Sequence, residues 1–211
     1  MITRVMILPA LKIASGITLA KIFVFGLCLL PLVNFTVGII NDTLGANPIE
    51  FITRGLGEWG LRFLLITLSI SPLRLITKNT IILRLRRMVG LFSFFYISLH
   101  LITYIWLDQF FDWNEIWIDI VKNPFITAGM IAYTLLIPLA ITSTNKMMKL
   151  LRQNWKRLHK LVYVITALGV LHFFWLVKAD LREPILYLVI YLVLLLFRYK
   201  KFTVLLRLRK E

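Results

Sequence analysis

The sequence predicts an all-α membrane protein, a polytopic bundle of six transmembrane helices. Hydrophobic residues make up 59% of the 211 residues, charged residues make up only 17%, and the mean hydropathy is +0.83. A soluble domain of this length would need more polar surface than this composition supplies. Apolar stretches recur along the whole chain with short connections between them, so we expect a single domain over residues 1–211.

Each helical span needs about 20 mostly apolar residues to cross a bilayer. Six are predicted, at about residues 16–40, 57–76, 89–107, 125–141, 158–177 and 184–197. The first follows a basic N-terminus, as in a signal peptide, but it is too long and lacks a small-residue cleavage site, so we expect a retained helix. The basic stretch 146–157 is predicted to be a helix on the membrane surface. No internal repeat is apparent in the sequence.

The basic residues orient this bundle. One side of the membrane receives 20 of the 25 Lys and Arg residues if it carries both termini, the loops at 73–88 and 143–157, and the adjacent Lys160. The other side receives five basic residues and nine of the ten acidic ones. Because basic loops stay in the cytoplasm, both termini are predicted to be cytoplasmic. The net charge of +15 then reflects topology and contact with anionic lipid, and it does not indicate nucleic-acid binding.

Two of the three histidines lie deep inside predicted spans, where an imidazole is costly and usually functional. His100 lies about 12 residues into the third span and His172 about 14 into the fifth, so their depths agree within about 3 Å. Two imidazoles at one level on neighbouring helices predict the axial ligands of a b-type haem iron. The alternative is a pair of core histidines bonded to carbonyl groups. Cys28 is the single cysteine, expected to be a small core residue, so covalent haem attachment is excluded.

The third histidine, His159, lies at the basic edge of the fifth span. It precedes His172 by 13 residues, or about 20 Å along a helix, where it could bind a second haem. An ideal helix would turn these two side chains about 140° apart, so a bend would be needed. A solvated imidazole at the membrane interface is the alternative.

Two arginine sites have two interpretations each. Arg62, in the second span, could meet a haem propionate or extend its side chain to the interface. Arg74, with Arg86 and Arg87, could bind the phosphate of FMN or could only enforce topology. For this group the sequence favours topology.

Several runs of residues carry a family resemblance, over about residues 45–200. They are Asn47–Glu50, Thr67–Arg74, Arg86–Leu91, Ser98–Leu101, Pro138–Thr144, Trp155–Tyr163 and His172–Lys178. Together they resemble the MsrQ (YedZ) family, the haem-binding membrane subunits of the bacterial protein-methionine-sulfoxide reductase system, within the ferric-reductase-like transmembrane superfamily.

The resemblance implies an inner-membrane protein with haem b, one or two per chain, and it allows FMN as a second cofactor. It implies that electrons from membrane quinol or a cytosolic flavin reductase pass to MsrP. MsrP is a periplasmic molybdopterin enzyme that reduces methionine sulfoxide in oxidised envelope proteins. His100, His159 and His172 fall on the family's haem-associated histidines. Arg54 stands where some relatives have a further histidine, so it is not expected to be a ligand here.

The sequence shows no dinucleotide fingerprint and no room for a flavin domain after the last span, so we expect an electron conduit without a complete active site. The alternatives are a stand-alone ferric reductase, another cytochrome b-type quinol-oxidising anchor, and a purely structural anchor. A transporter is disfavoured, because no carboxylate lies in the middle of a span.

Overall fold

The computed structural model describes the backbone of residues 3–208 and the side chains of residues 16–199. Within that range the protein is entirely helical, without a β-strand. The helices are α1 (Thr3–Ile40), α2 (Pro48–Thr77), α3 (Ile81–Thr103), a π-helical turn (Tyr104–Asp108), α4 (Trp113–Lys122), α5 (Pro124–Ile141), α6 (Asn145–Leu158), α7 (Leu161–Leu176) and α8 (Arg182–Leu208). Some basic residues of the charge argument have side chains outside the described range: Arg4, Lys12, Lys200, Lys201, Arg207, Arg209 and Lys210.

Four of these helices are long and apolar enough to cross a membrane. They cover Gly16–Ile40, Pro48–Thr77, Ile81–Asp108 and Pro124–Ile141. Helices α6 and α7 meet at a bend of 50° and give a fifth candidate if the bent pair is counted as one span. The predicted all-α membrane class is therefore confirmed. The sixth span and the cytoplasmic termini stay predictions.

The second span begins earlier than its hydropathy predicts, because its polar first turns are paired with each other. The side chain of Asn47 caps α2 by accepting a hydrogen bond of 3.2 Å from the amide of Glu50. Ion pairs one helical turn apart then join Arg54 to Glu50 at 2.7 Å and Arg62 to Glu58 at 2.9 Å. These four charges lower the average hydropathy without interrupting the helix.

Two short helices flank α5, the fourth predicted span. Helix α6 matches the predicted surface helix, and the hydroxyl of Thr144 caps it by accepting from the amide of Met147 at 3.2 Å. Helix α4 was predicted only as loop. It starts at Asp112, whose carboxylate accepts hydrogen bonds from the amides of Asn114 and Glu115.

The packed interior has two parts. One joins α2 to α5, α7 and α8, and its buried members are Leu61, Leu64, Leu65, Leu68, Ala132, Leu136, Leu139, Val162, Ile165, Val170, Tyr187 and Tyr191. The other joins α1, α2 and α3 around Cys28, Phe63, Phe92 and Tyr96. Cys28 is 4% exposed, so it packs as the small core residue that the sequence predicted.

Tyr96 fixes α1 to the rest of the bundle. Its hydroxyl donates to the carbonyl of Cys28 at 2.8 Å and accepts from the amide of Leu32 at 3.2 Å. A regular helix would join those two backbone groups directly, so the hydroxyl is inserted into the hydrogen-bond ladder of α1, beside Pro31. Tyr96 is fully buried, so neither backbone group has access to water there.

We expect Tyr96→Phe to destabilise the protein by about 1–3 kcal/mol, because two buried backbone groups lose their partner. The check is the midpoint of thermal unfolding in detergent. Tyr133→Phe is the matched control, since it removes a hydroxyl with one partner, Ser98 at 3.2 Å. Equal midpoints for the two variants would contradict this role of Tyr96.

Candidate functional site

A cavity of about 740 Å³ opens between α2, α3, α5 and α7 at one end of the bundle. Its inner walls are mostly apolar and include Leu61, Leu64, Ile97 and Ile165. Its mouth is formed by the loops before α2, around α4 and after α7, which therefore meet at the same end. Pockets of this size are typical of small-molecule and cofactor sites.

His100 and His172 lie next to each other in this cavity, on α3 and α7. Their ring centres are 6.2 Å apart and the ring planes are inclined by 80°. The Nδ1 atom of His100 bonds to the carbonyl oxygen of Thr53 at 2.7 Å, and that of His172 to the carbonyl oxygen of Phe125 at 2.6 Å. A carbonyl oxygen can only accept, so each neutral ring carries its proton on Nδ1 and keeps a lone pair on Nε2.

Each imidazole also packs directly on a glycine. A β-carbon added to Gly57 would lie 3.0 Å from Nδ1 of His100, and one added to Gly129 would lie 2.9 Å from Nδ1 of His172. Real β-carbons essentially never come as close as the contact at Gly129, and the contact at Gly57 is tighter than nine in ten real ones, so a larger residue at either position would displace the ring. The absence of a side chain lets the ring reach the backbone of the neighbouring helix.

The two half-sites repeat the same arrangement. In each, a histidine bonds to a carbonyl 47 residues earlier in the chain, and the glycine lies one helical turn after that carbonyl. The sequence analysis found no repeat, because only the glycine, the histidine and their spacing are shared. The signal that could have revealed Gly57 and Gly129 was this common spacing.

These residues fit the expected haem. Two metal–nitrogen bonds of about 2 Å each, plus roughly 1.1 Å from each nitrogen to its ring centre, separate two axial imidazoles by about 6.2 Å. The observed separation of the ring centres is 6.2 Å. Metal-binding histidines almost always donate their other ring N–H to a carbonyl or carboxylate, as both do here.

The mouth of the cavity is acidic. The carboxylates that line it are Glu50, Glu58, Asp108, Asp119, Asp180 and Glu183. Asp119 also holds the backbone around the π-helical turn: one of its oxygens accepts from Tyr104 at 2.9 Å and from Gln109 at 3.0 Å. The other accepts from Asn123 at 3.2 Å. A net negative charge therefore surrounds the entrance.

His159 is not part of this cavity. It follows the last residue of α6, at the bend before α7, and its ring stacks on Trp155 with ring centres 3.8 Å apart. Its Nδ1 bonds to the carbonyl of Trp155 at 3.1 Å, and its Nε2 lies 3.5 Å from the hydroxyl of Ser143. The structure therefore separates His159 from the other two histidines.

The predicted arginine sites are also separated. Arg62 does not line the cavity, because it donates to Glu58 and to the hydroxyl of Tyr187 at 2.7 Å. Arg54, which the sequence analysis set aside, does line it. At the opposite end of the bundle, Arg74 lines a second, smaller cavity.

Arg87 points elsewhere. Its guanidinium donates to the side chain of Asn145 and lies 3.6 Å from the sulfur of Met148, both on α6. Of the three arginines that the sequence grouped for a phosphate, Arg74 and Arg86 line the smaller cavity together and Arg87 lies apart from them.

Comparison with known proteins agrees with this architecture. Residues 52–170 match the family model described as ferric reductase like transmembrane component. The chain is 56% identical over 170 residues to a relative from Rhodospirillum rubrum, which covers 80% of this chain and 82% of the relative. That relative is named protein-methionine-sulfoxide reductase heme-binding subunit MsrQ. This chain belongs to the MsrQ family.

Two further MsrQ proteins extend the comparison. The relative from Herminiimonas arsenicoxydans is 53% identical over 185 residues, which cover 86% of this chain and 85% of that protein. The relative from Caulobacter vibrioides is 54% identical over 156 residues, 74% of either chain. MsrQ membership thus extends over most of the chain, and the family-model match includes His100 and ends two residues before His172.

Proposed function

We propose that this MsrQ protein is a haem b electron-transfer subunit of the bacterial inner membrane. It would pass electrons from membrane quinol or a cytosolic flavin reductase to MsrP, the periplasmic molybdopterin subunit that repairs methionine sulfoxide in envelope proteins. The observation that carries the proposal is the pair of imidazoles with ring centres 6.2 Å apart, each with its Nδ1 already bonded. The printed names of its relatives, heme-binding subunits, support it.

The chain's own residues would prepare the site in three ways. The carbonyls of Thr53 and Phe125 orient the two rings and fix the tautomer that presents Nε2. The mostly apolar walls would give the haem macrocycle a nonpolar surface to pack against. Bound haem would supply a one-electron carrier at this level of the membrane. No complete active site of its own is assigned to the chain.

We also propose a single domain of six spans with both termini in the cytoplasm. Helix α7 would be the fifth span, with α6 on the membrane surface before it, and the apolar part of α8 would be the sixth. The acidic mouth of the histidine cavity would then face the periplasm, where MsrP docks. The loops rich in Lys and Arg would face the cytoplasm, as the distribution of charge favours.

Two finer points stay predictions. A second haem at His159 lacks a facing histidine on α3, where Arg87 is engaged with Asn145. FMN at Arg74, Arg86 and Arg87 also stays a prediction, because Arg87 is engaged with α6 and the cavity at Arg74 and Arg86 is too small for a flavin ring. The protein would therefore carry at least one haem, held by His100 and His172.

A stand-alone ferric reductase is the second candidate. The match of residues 52–170 to the ferric reductase like family model favours it. Purified protein that reduces iron chelates at the rate at which it is itself reduced, with no MsrP present, would establish this activity. We expect MsrP to accelerate the oxidation of the reduced protein and iron chelates to have little effect.

The first test is an absorption spectrum of the purified protein with a pyridine haemochrome assay. We expect a dithionite-reducible b-type spectrum and at least one haem per chain. His100→Ala and His172→Ala should each abolish the low-spin signal, because one axial imidazole alone cannot complete six-coordination. Wild-type spectra from both variants would show that the ligands are assigned wrongly.

His159→Ala separates the two interpretations of the third histidine. Loss of part of the haem, with the signal of His100 and His172 retained, would assign a second haem to His159. We expect an unchanged haem count, because the ring of His159 is already stacked on Trp155 outside the cavity. Insertion in the membrane is verified for each variant, so that a folding defect is not read as ligand loss.

Gly129→Ala and Gly57→Ala test the packing of the two imidazole rings against these glycines. Each added methyl would sit about 3 Å from a ring nitrogen and displace it, so we expect haem affinity to fall about 10–100-fold. Gly26→Ala on α1 is the matched control, since nothing lies within 4 Å of its added methyl. Haem retention is measured by transfer to apomyoglobin. Equal transfer rates in all three variants would remove the glycines from the site.

The direction of transfer is tested in sealed, oriented vesicles. Reduced protein should be oxidised by MsrP added on the periplasmic side only. Asp108→Asn, Asp112→Asn and Glu115→Gln together should slow this oxidation about tenfold at low salt, because charge steers the encounter. Asparagine at position 112 can still cap α4. Asp119 is neutralised in a separate variant, since it also holds Tyr104, Gln109 and Asn123.

Lys178→Gln with Arg182→Gln is the control on the same face, and it should not slow the reaction. Oxidation only from the cytoplasmic side would overturn the orientation. An unchanged rate in the neutralised variants would discard only the docking surface.

A further inference from the structure

The second cavity, of about 230 Å³, lies at the basic end of the bundle between α2, α3 and α8. Three arginines line it, one from each helix: Arg74, Arg86 and Arg198. Arg74 follows Gly57 by 17 residues of α2, so the cavity lies about 25 Å along the helix from the histidine pair. It is separate from the proposed haem site.

The positive charges of this cluster are not neutralised by the side chains that the structure describes. Arg86 and Arg198 are close enough to repel each other, and Arg198 is held in place by bonding to the hydroxyl of Ser71 at 3.1 Å. Arg198 also lies over the ring of Tyr163, 5.3 Å from its centre. Every ion pair in residues 16–199 lies at the other end of the bundle and involves none of these arginines.

Arg86 and Arg198 are partly buried, and two like charges are unfavourable together in such positions unless an anion is bound. Its donors also suit one kind of anion. Several guanidinium groups and a hydroxyl that converge on one small space match the oxygens of a phosphate group. The space is smaller than the roughly 300–1,000 Å³ of sites that enclose a drug-sized ligand, so it fits a phosphate and not a flavin ring.

The residues around the cavity indicate that the phosphate belongs to a lipid head group. Leu75 and Phe197 line the same cavity and are about half exposed on the outer surface of the bundle, where lipid chains run. Helix α2 has 30 residues and is about 45 Å long, the full thickness of a bilayer with its head groups, and Arg74 lies in its last turn. The arginines are therefore at the level of the lipid head groups, and the apolar side chains are beside the first carbons of the acyl chains.

We propose that Arg74, Arg86 and Arg198 form a binding site for the phosphate of an anionic phospholipid, which ties α2, α3 and α8 together at the cytoplasmic surface. Basic cavities between transmembrane helices on this side are suited to anionic head groups. The lipid would compensate the repulsion among the three guanidinium groups. It is a structural ligand that keeps α8 against the bundle.

The test uses the full-length protein, purified in detergent and stripped of lipid. Thermal unfolding is followed with added dioleoylphosphatidylglycerol, dioleoylphosphatidylcholine, inorganic phosphate or FMN. We expect dioleoylphosphatidylglycerol to raise the midpoint of unfolding by several degrees. Native mass spectrometry should show one tightly retained molecule of this lipid. A ligand that binds only the folded state stabilises it in proportion to the logarithm of its concentration.

Arg74→Gln, Arg86→Gln and Arg198→Gln, singly and together, should lose this stabilisation. Without lipid, Arg86→Gln should unfold at or above the wild-type midpoint, since its repulsion with Arg198 is gone. The matched control combines Arg84→Gln, Lys149→Gln and Arg152→Gln, which remove the same charge from exposed positions at this end and should keep the response. If the triple variant does not fold, the three single variants carry the test.

The outcomes separate the sources of phosphate. Equal protection by phosphatidylcholine, inorganic phosphate or FMN would overturn the assignment to an anionic lipid. Equal loss in the control triple variant would overturn the site and leave only a general attraction to charge. Haem content is measured in the same samples, and it should not change, so this proposal and the haem proposal fail independently.

Discussion

The close approach of each imidazole to a helix backbone is the constraint on which the rest of the site depends. An imidazole in an apolar interior needs a partner for its N–H, and a helix offers only carbonyls that are already bonded once. His100 and His172 use the second lone pair of such a carbonyl, and they reach it because Gly57 and Gly129 have no side chain. The helix pairs α2 with α3 and α5 with α7 must therefore be the tightly packed ones. The cavity is what remains between the pairs.

Acidic and basic side chains are separated between the two ends of the bundle. The acidic side chains surround the mouth of the histidine cavity, and several of them also stabilise the local structure. Glu50 and Glu58 pair with Arg54 and Arg62 within α2, and Asp119 fixes the π-helical turn. At the other end, the arginines of α2, α3 and α8 converge without a described carboxylate. A negative entrance opposes anionic small molecules and attracts a basic protein surface, which suits a protein partner better than a free anionic substrate.

The sequence predicted the features that depend on composition and on helical rise. It predicted the helical membrane class, the span at 125–141 almost to the residue, and the common depth of His100 and His172. It could not predict the early start of α2, because paired charges look like a loop in a hydropathy average. It also missed the contact of each imidazole with a glycine, because the sequence does not show which residue packs against a glycine in a helix. Arg62 was predicted to meet haem because of its depth in the second span. Its actual partner, Tyr187, lies on α8, and depth alone does not show which helices are neighbours.

His159 shows where extrapolation along an ideal helix fails. A continuous helix through His159 and His172 would place the two on different sides, and a shared gap would require a bend. The structure has a bend of 50° between α6 and α7. His159 lies at this bend as the C-cap residue of α6, so its position is set by α6 and not by α7. The ring is then held by Trp155, within its own helical turn, and by Ser143 at the end of α5. A histidine with both nitrogens near partners and one face covered by an indole is suited to fixing the junction of α5, α6 and α7. That role requires no second cofactor, and it accounts for an imidazole at this position beside Lys156, Arg157 and Lys160.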